Sequence, residues 1–330
     1  MKQLLESAER DNGAAGEVRF ETIACDNRAM NRHLFLTRLW ALAALLALAS
    51  FVQAAERILY DKPSAYNNII VSEDAEGLRV LRFERNGARQ SIAKPGEPEY
   101  LGFAYTKVAF AGLALTEEPR RVMVVGLGGG TMPMFLRKHY PNATIDAVDI
   151  DPDVVQVARE YFGFLEDERL KAHVGDGRAF VENAKEPYDV IFLDAFGTRN
   201  VPPHLTTVEF MRAVRRAVKP GGVVVGNIWG RGSNPLYDNM VRTYQEVFDE
   251  LYILDVPGTT NKILLALPRP QPLDRAGLVQ LARKTGAAGG FKFDLGDISE
   301  QQFHAAGRKA KTGRVLRDAD TAQPAGVLAR

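Results

Sequence analysis

Apolar and polar positions fall into three regimes along the chain. Residues 39–52 read LWALAALLALASFV, apolar throughout and shorter than the roughly 20 residues a membrane-spanning helix needs. Arg32 and Arg38 precede this run, and Val52-Gln53-Ala54 closes it as a small-residue cleavage site. A basic flank, an apolar run and a small-residue end are the parts of a secretory signal peptide, here residues 30–54 with a start near Met30. Residues 1–29 then read as an upstream extension or an over-called start. A buried core helix is the competing reading of the apolar run, although no helix cap or amphipathic face accompanies it. The leader predicts an exported (periplasmic) or membrane-tethered protein, with a cytoplasmic one as the alternative.

The second regime, residues 55–115, has strand texture. Tyr66–Ser72 (YNNIIVS) and Leu78–Phe83 (LRVLRF) carry β-branched and apolar residues at strand density. Asn86-Gly87 offers the φ > 0 residues of a tight hairpin turn. From Glu99 to Leu115 apolar residues recur three and four apart, which predicts a helix linking this small β-rich domain to the third regime. That third regime, residues 116–270, alternates strands with helices. Arg121–Val125 (RVMVV) and Tyr188–Leu193 (YDVIFL) are continuous apolar runs, as expected of parallel strands covered on both faces. The fold class predicted is α/β, a Rossmann-like doubly wound and mostly parallel sheet preceded by a small β-rich domain. Residues 271–330 read as a C-terminal helical tail.

Composition narrows the function classes. Of 330 residues, 42 are Lys or Arg and 41 Asp or Glu, a net charge of +1, so no basic footprint for nucleic acid is present. The single cysteine, Cys25, removes a disulfide framework and a cysteine-based zinc site; no metal site and no tightly bound cofactor are expected. Carboxylates, hydroxyls, histidines and a bound co-substrate are left to carry the chemistry.

Candidate chemistry collects at strand ends. Arg121–Val125 runs into Gly126-Leu127-Gly128-Gly129-Gly130, and then into a helix from about Thr131 to His139. Glycines there let a ligand approach backbone N–H groups at a helix start. The next strand ends at Asp149, 23 residues beyond Gly126, the place of an acid that binds ribose hydroxyls. Thr131 stands where the dinucleotide pattern has its third glycine, so the loop by itself is a weak signal, with a tight turn as the competing reading. Asp176-Gly177 comes after another short strand, Asp194 ends Tyr188–Leu193, and Lys219-Pro220-Gly221-Gly222 precedes Val223–Val225. These signals lie at the carboxyl edge, where open sheets bind ligands.

The segments SAYNNIIV, NGARQS, EYLGFAY, AVDID, HVGDG and YDVIFLDAF resemble those of the class I S-adenosylmethionine-dependent fold, and more narrowly of the spermidine synthase (polyamine aminopropyltransferase) family. The resemblance runs from about Ala55 to Pro268, with a weaker echo at Arg314–Asp320 (RVLRDAD). It implies transfer of an aminopropyl group from decarboxylated S-adenosylmethionine, as co-substrate, to putrescine or a related amine, with release of methylthioadenosine. It also implies small-molecule partners and a homodimer or homotetramer. Asp149 resembles the family's ribose-binding acid, and Asp176 and Gly177 its adenine-side pair. Asn67 stands at its nucleoside-binding amide, Pro202 near a nucleoside-contacting proline, Gly126 and Gly128 in its cofactor loop. Asp194 matches the first acid of its D-x-x-D segment, the proposed base, and Tyr105 a pocket tyrosine. Departures concern the acceptor: Gly129 and Gly197 occupy the positions of two diamine-binding acids, and Thr106 that of a frequent His or Gln.

An attacking amine is protonated near neutral pH, with a pKa around 10, so a carboxylate that orients it and takes its proton is the expected catalytic group. Asp194 fits that role, with loop capping as the competing one; Tyr105 reads as a hydrogen-bond partner of the amine or as a half-buried helix aromatic. His204 is the histidine near the proposed site, read as a surface or lid residue. An S-adenosylmethionine-dependent methyltransferase and an exported, non-catalytic nucleoside-binding relic of the fold are the alternatives.

Overall fold

The computed structural model describes residues 56–197, 200–306 and 312–321; the expected signal peptide, residues 30–54, and the stretch before it, 1–29, lie outside them. Four antiparallel strands in sequential order, β1 (Arg57–Pro63), β2 (Asn68–Glu73), β3 (Arg79–Arg82) and β4 (Arg89–Ala93), form the small sheet. The β3–β4 turn is closed by the Gly87 N–H donating to the Glu84 carbonyl at 3.0 Å. Gly87 is not in the left-handed region expected for an Asn-Gly hairpin. That conformation belongs to Gly77, φ 77°, in the β2–β3 turn, where Asp74 Oδ1 accepts from the N–H groups of Glu76 and Leu78.

The second sheet has eight strands: β5 (Arg121–Val125), β6 (Thr144–Asp149), β7 (Leu170–Val174), β8 (Tyr188–Leu193), β9 (Val218–Trp229), β10 (Glu250–Asp255), β11 (Asn261–Leu267) and β12 (Phe303–Ala306). Their order is β12-β10-β11-β9-β8-β5-β6-β7. Strands β9, β8, β5, β6 and β7 run parallel, and the remaining three add antiparallel. The chain leaves β5 toward β6 and β7 and later returns to β8 and β9 on the other side, so β5 and β8 flank the switch point where such sheets open a ligand crevice.

Each central strand is buried on both faces because consecutive side chains alternate. Val122 and Val124 join one apolar cluster, Met123 and Val125 the other. The first face is covered by α1 (Ala104–Ala109), a 3₁₀ turn (Phe110–Leu115), α2 (Thr131–His139), α7 (Arg275–Gly289) and α8 (Leu295–Gln302); the second by α4 (Gly177–Glu182), α5 (Val208–Ala217) and α6 (Tyr237–Val247). Helix α3 (Pro152–Tyr161) joins the sheets. Its Val154 and Val157 pack with Ile69, Val71 and Leu81 of the small sheet, while Val155 and Ala158 face the large one.

Two expectations need correction. The helix predicted from Glu99 begins only at Ala104 and tightens to 3₁₀ geometry from Phe110. Gly102 lies so close to β4 that a Cβ there would meet Ile92 at 2.8 Å, and Phe103 is extended, φ −104°, ψ 136°. The helical tail contains α7 and α8, but it then supplies β12, paired with β10 at the edge of the large sheet.

Candidate active site

Strand β8 delivers Asp194 to the carboxyl edge, where its N–H donates to the Val125 carbonyl of β5 at 2.8 Å. The two strands leave no room between them: a Cβ on Gly126, φ 101°, would sit 2.4 Å from the Asp194 carbonyl oxygen. Only glycine combines that approach with that backbone angle. Gly126 also donates its N–H to Val148 of β6 at 2.8 Å, so this residue is the junction of three strands.

Asp194 is held from both sides. The Tyr105 hydroxyl of α1 donates to Oδ2 at 2.9 Å, and the Asn227 amide of β9 donates to Oδ1 at 2.8 Å. Asn227 is oriented in turn by Asn261 of β11, whose Nδ2 donates to its Oδ1 at 2.8 Å. Burial pushes the Asp194 carboxyl up to about 6, against the pull of the Asn227 and Tyr105 hydrogen bonds. Burial also raises the Tyr105 phenol well above its ordinary value, with the Asp194 charge adding to it, so Tyr105 is a neutral donor. A carboxylate with spare lone pairs and a pKa near neutrality is suited to accept a proton.

Asp149, at the end of β6, turns toward the glycine loop. Its Oδ2 accepts from the Leu127 N–H at 2.9 Å and its Oδ1 from the Asp151 N–H at 3.1 Å. Burial raises its pKa despite the opposing amides of Leu127, Asp151 and Gly128. Asp149 therefore shapes the loop, and its remaining lone pairs are what it can offer ribose hydroxyls. Beside it, Asp151 N-caps α3 and accepts from Ser64 at 2.5 Å and, weakly, from Asn67 Nδ2 at 3.4 Å. Asn67 thus comes to the same strand end from the small sheet. Exposed Ile150 and Val174 lie on the adjoining ends of β6 and β7, an apolar edge suited to a nucleobase face.

Asp176 N-caps α4 by accepting from Ala179 N–H at 2.9 Å, and its other oxygen pairs with His204 Nε2 at 2.8 Å. Burial acts to raise this carboxyl, but the Ala179 amide and His204 outweigh it and leave it below its ordinary value. Gly177 packs where a Cβ would strike Val125 at 2.5 Å. Pro202 precedes the short 3₁₀ turn Pro203–Leu205 that carries His204.

The structure thus brings Asp194, Tyr105 and Gly126 together, links Asn67 to Asp149 at the next strand end only through Asp151, and places Asp176, Gly177, Pro202 and His204 beyond. Gly128 sits over Ser91 of β4, not against Asp194. Thr106 is buried and donates to the Phe103 carbonyl at 2.7 Å, so it takes no part in the cluster. Asn227 and Asn261 escaped the sequence reading; the one signal was a polar residue inside the apolar run Val223–Ile228.

The two glycines at positions of family acids differ in surroundings. A Cβ on Gly129 would lie 2.6 Å from the Phe162 ring and 2.8 Å from Ser91 Oγ, whereas one on Gly197 would meet, among the described residues, the Asn200 carbonyl at 3.6 Å. Among the described residues, Gly129 is closed to a side chain and Gly197 is open to one.

Known proteins resemble this chain in sequence and in fold. The family model described as "Spermine/spermidine synthase domain" matches residues 103–259. A polyamine aminopropyltransferase of Vibrio vulnificus is 33% identical over 245 residues, covering 72% of this chain and 81% of the relative. An "eEF1A lysine and N-terminal methyltransferase" of Bos taurus is 34% identical over 235 residues, 63% of this chain but only 33% of that longer protein. In fold, a probable spermidine synthase from Corynebacterium glutamicum superposes with a TM-score of 0.62 at 22% identity, over 82% of this chain and 98% of the other. Matched over most of its described length by sequence and by fold, the chain belongs to the spermine/spermidine synthase family.

Proposed function

We propose that this protein is a polyamine aminopropyltransferase that moves the aminopropyl group of decarboxylated S-adenosylmethionine to putrescine or a related amine. The observation that carries the reading is Asp194, pinned by Tyr105 and Asn227 at the switch point with its carboxyl raised to about 6. In the reaction the amine lone pair attacks the carbon bound to the sulfonium. The C–S bond breaks, its electron pair stays on sulfur, and neutral methylthioadenosine leaves. The ammonium proton goes to Asp194. Raising that carboxyl from its ordinary 3.8 to about 6 narrows the proton-transfer gap to an amine by about 3 kcal/mol. The nucleoside would lie along Asn67, Asp149, Asp176 and Pro202, with Gly126 and Gly128 allowing its approach.

Methyl transfer from S-adenosylmethionine to an amine is the second reading. What favours it is Gly129, closed to the acid that a diamine site would use, together with the similarity to the bovine methyltransferase. The test is incubation with decarboxylated S-adenosylmethionine and a panel of amines, with the products identified by mass. An aminopropylated amine is expected from the wild type, and about 10²–10⁴-fold more slowly from Asp194→Asn. No such product from any amine would overturn the proposal.

A further inference from the structure

Residues 312–321, distant in sequence from the sheet edge, are fastened to it. Leu316 is buried in the cluster that contains α5 and α6; its N–H donates to Thr243 Oγ1 at 3.0 Å, and its carbonyl accepts from Val208 at 2.8 Å. The Arg314 N–H donates to Asn239 Oδ1, and the Asp318 N–H to Glu209 Oε2, both at 3.0 Å. This anchored segment then presents Asp318, the first residue of α9 (Asp318–Thr321), to Arg178 of α4. The pair is two-pronged: Nη1 to Oδ1 at 2.7 Å and Nη2 to Oδ2 at 2.8 Å. Arg178 Nη1 also donates to the His204 carbonyl at 3.3 Å. The His204 ring returns to Asp176, two residues before Arg178, at 2.8 Å. Asp176, Arg178 and His204 close a ring around one carboxylate; Asp318 grips the guanidinium of Arg178 by its two Nη atoms and Glu182 takes its Nε at 2.8 Å.

We infer that Asp318 is a positioning residue for the nucleoside site, acting through Arg178 and His204 on Asp176; this rests on the reading of Asp176 as the adenine-side acid. The planar guanidinium fork fixes direction as well as distance. Held by Asp318, Arg178 keeps the backbone of His204 in place, and the imidazole occupies Asp176 Oδ2 while the α4 amide occupies Oδ1. With both oxygens engaged, the carboxylate has one orientation, and its remaining lone pairs point one way before a ligand arrives. A pre-set acceptor spares the ordering cost of binding. Asp318 and Arg178 both keep some solvent exposure, so the ring contributes to affinity more than to stability.

The test is calorimetric titration of methylthioadenosine into the full chain and into Asp318→Asn, Asp318→Glu, Arg178→Lys and Asp176→Asn, with thermal melting of each. Asp318→Asn and Arg178→Lys are expected to weaken binding about two- to tenfold, Asp318→Glu to restore most of it, and Asp176→Asn to weaken it at least as much. If Asp176→Asn weakens binding while Asp318→Asn and Arg178→Lys change only the melting temperature, the segment is structural and the inference fails, with the nucleoside site intact. If Asp318→Asn weakens binding but Asp176→Asn does not, the route through Asp176 is wrong. If no variant changes affinity, the nucleoside site lies elsewhere and the inference falls with it. Arg178→Lys retains a charge at the same place and decides the matter should Asp318→Asn fail to fold.

Discussion

Replacing Asp194 by Asn separates chemistry from stability, because the two are expected to move in opposite directions. The amide keeps the size of the carboxylate but takes no proton. General-base contributions are typically about 10²–10⁴-fold, so turnover should fall by that factor while methylthioadenosine affinity stays within about twofold. The effect on stability comes from linkage. The folded carboxyl titrates near 6, above its ordinary 3.8, so the native chain holds the extra proton between those values. Its stabilising contribution is therefore complete below about pH 4 and lost as pH rises through about 6. At pH 8 the buried charge costs about 3 kcal/mol. The Asn variant escapes that cost but reverses one hydrogen bond, since its Nδ2 must donate to Tyr105 Oη or stay unpaired, at about 1 kcal/mol. The net gain of about 2 kcal/mol corresponds to a Tm about 4–8 °C above wild type at pH 8, a difference that closes toward pH 4. Product formation and thermal melts across pH would be measured on the same preparations. A variant that keeps more than a tenth of wild-type turnover, or melts below wild type at pH 8, would refute the reasoning.

Asn227→Leu removes one of the bonds that hold the Asp194 carboxyl down, so the acid limb of the turnover profile should move to higher pH, and an unmoved limb would count against the assignment. Gly129→Asp would drive a side chain into Phe162 and Ser91 and should cost about 1–3 kcal/mol without tightening putrescine, whereas Gly197→Asp has room and should leave the melting temperature within a degree or two while tightening putrescine; calorimetry and melting check both. N-terminal sequencing of the protein from its native host should find a mature chain starting near Ala55, and an intact Met1 or Met30 terminus would exclude cleavage of the leader.

Much of the fold was legible because parallel strands buried on both faces must be continuous apolar runs, as Arg121–Val125 and Tyr188–Leu193 are. The acids that punctuate those runs marked the sheet edge, and Asp194 and Tyr105 do meet there. What escaped depends on long-range pairing. Asn227 reads as a blemish in β9 until β11 brings Asn261 beside it. Asp149 has the spacing of a ribose-binding acid, yet spacing does not reveal that both its oxygens already accept backbone N–H groups. The β12 strand was hidden in a segment with helical texture, since FHAA has little strand character without β10 to pair with. The end of the predicted helix at Glu99–Phe103 was lost to the approach of Gly102 to Ile92, a contact between segments that local periodicity does not encode. Gly129 and Gly197 looked alike as missing acids; only the packing of the described residues shows one filled and the other open.

Everything proposed for this site turns on the identity of the transferred group, and a donor competition reads that identity without intermediaries. The purified chain would be given equal amounts of decarboxylated S-adenosylmethionine and S-adenosylmethionine with putrescine, and the released nucleoside identified by mass. Methylthioadenosine is expected as the dominant product, with an aminopropylated amine in equal amount; S-adenosylhomocysteine with a methylated amine would contradict the aminopropyltransferase reading.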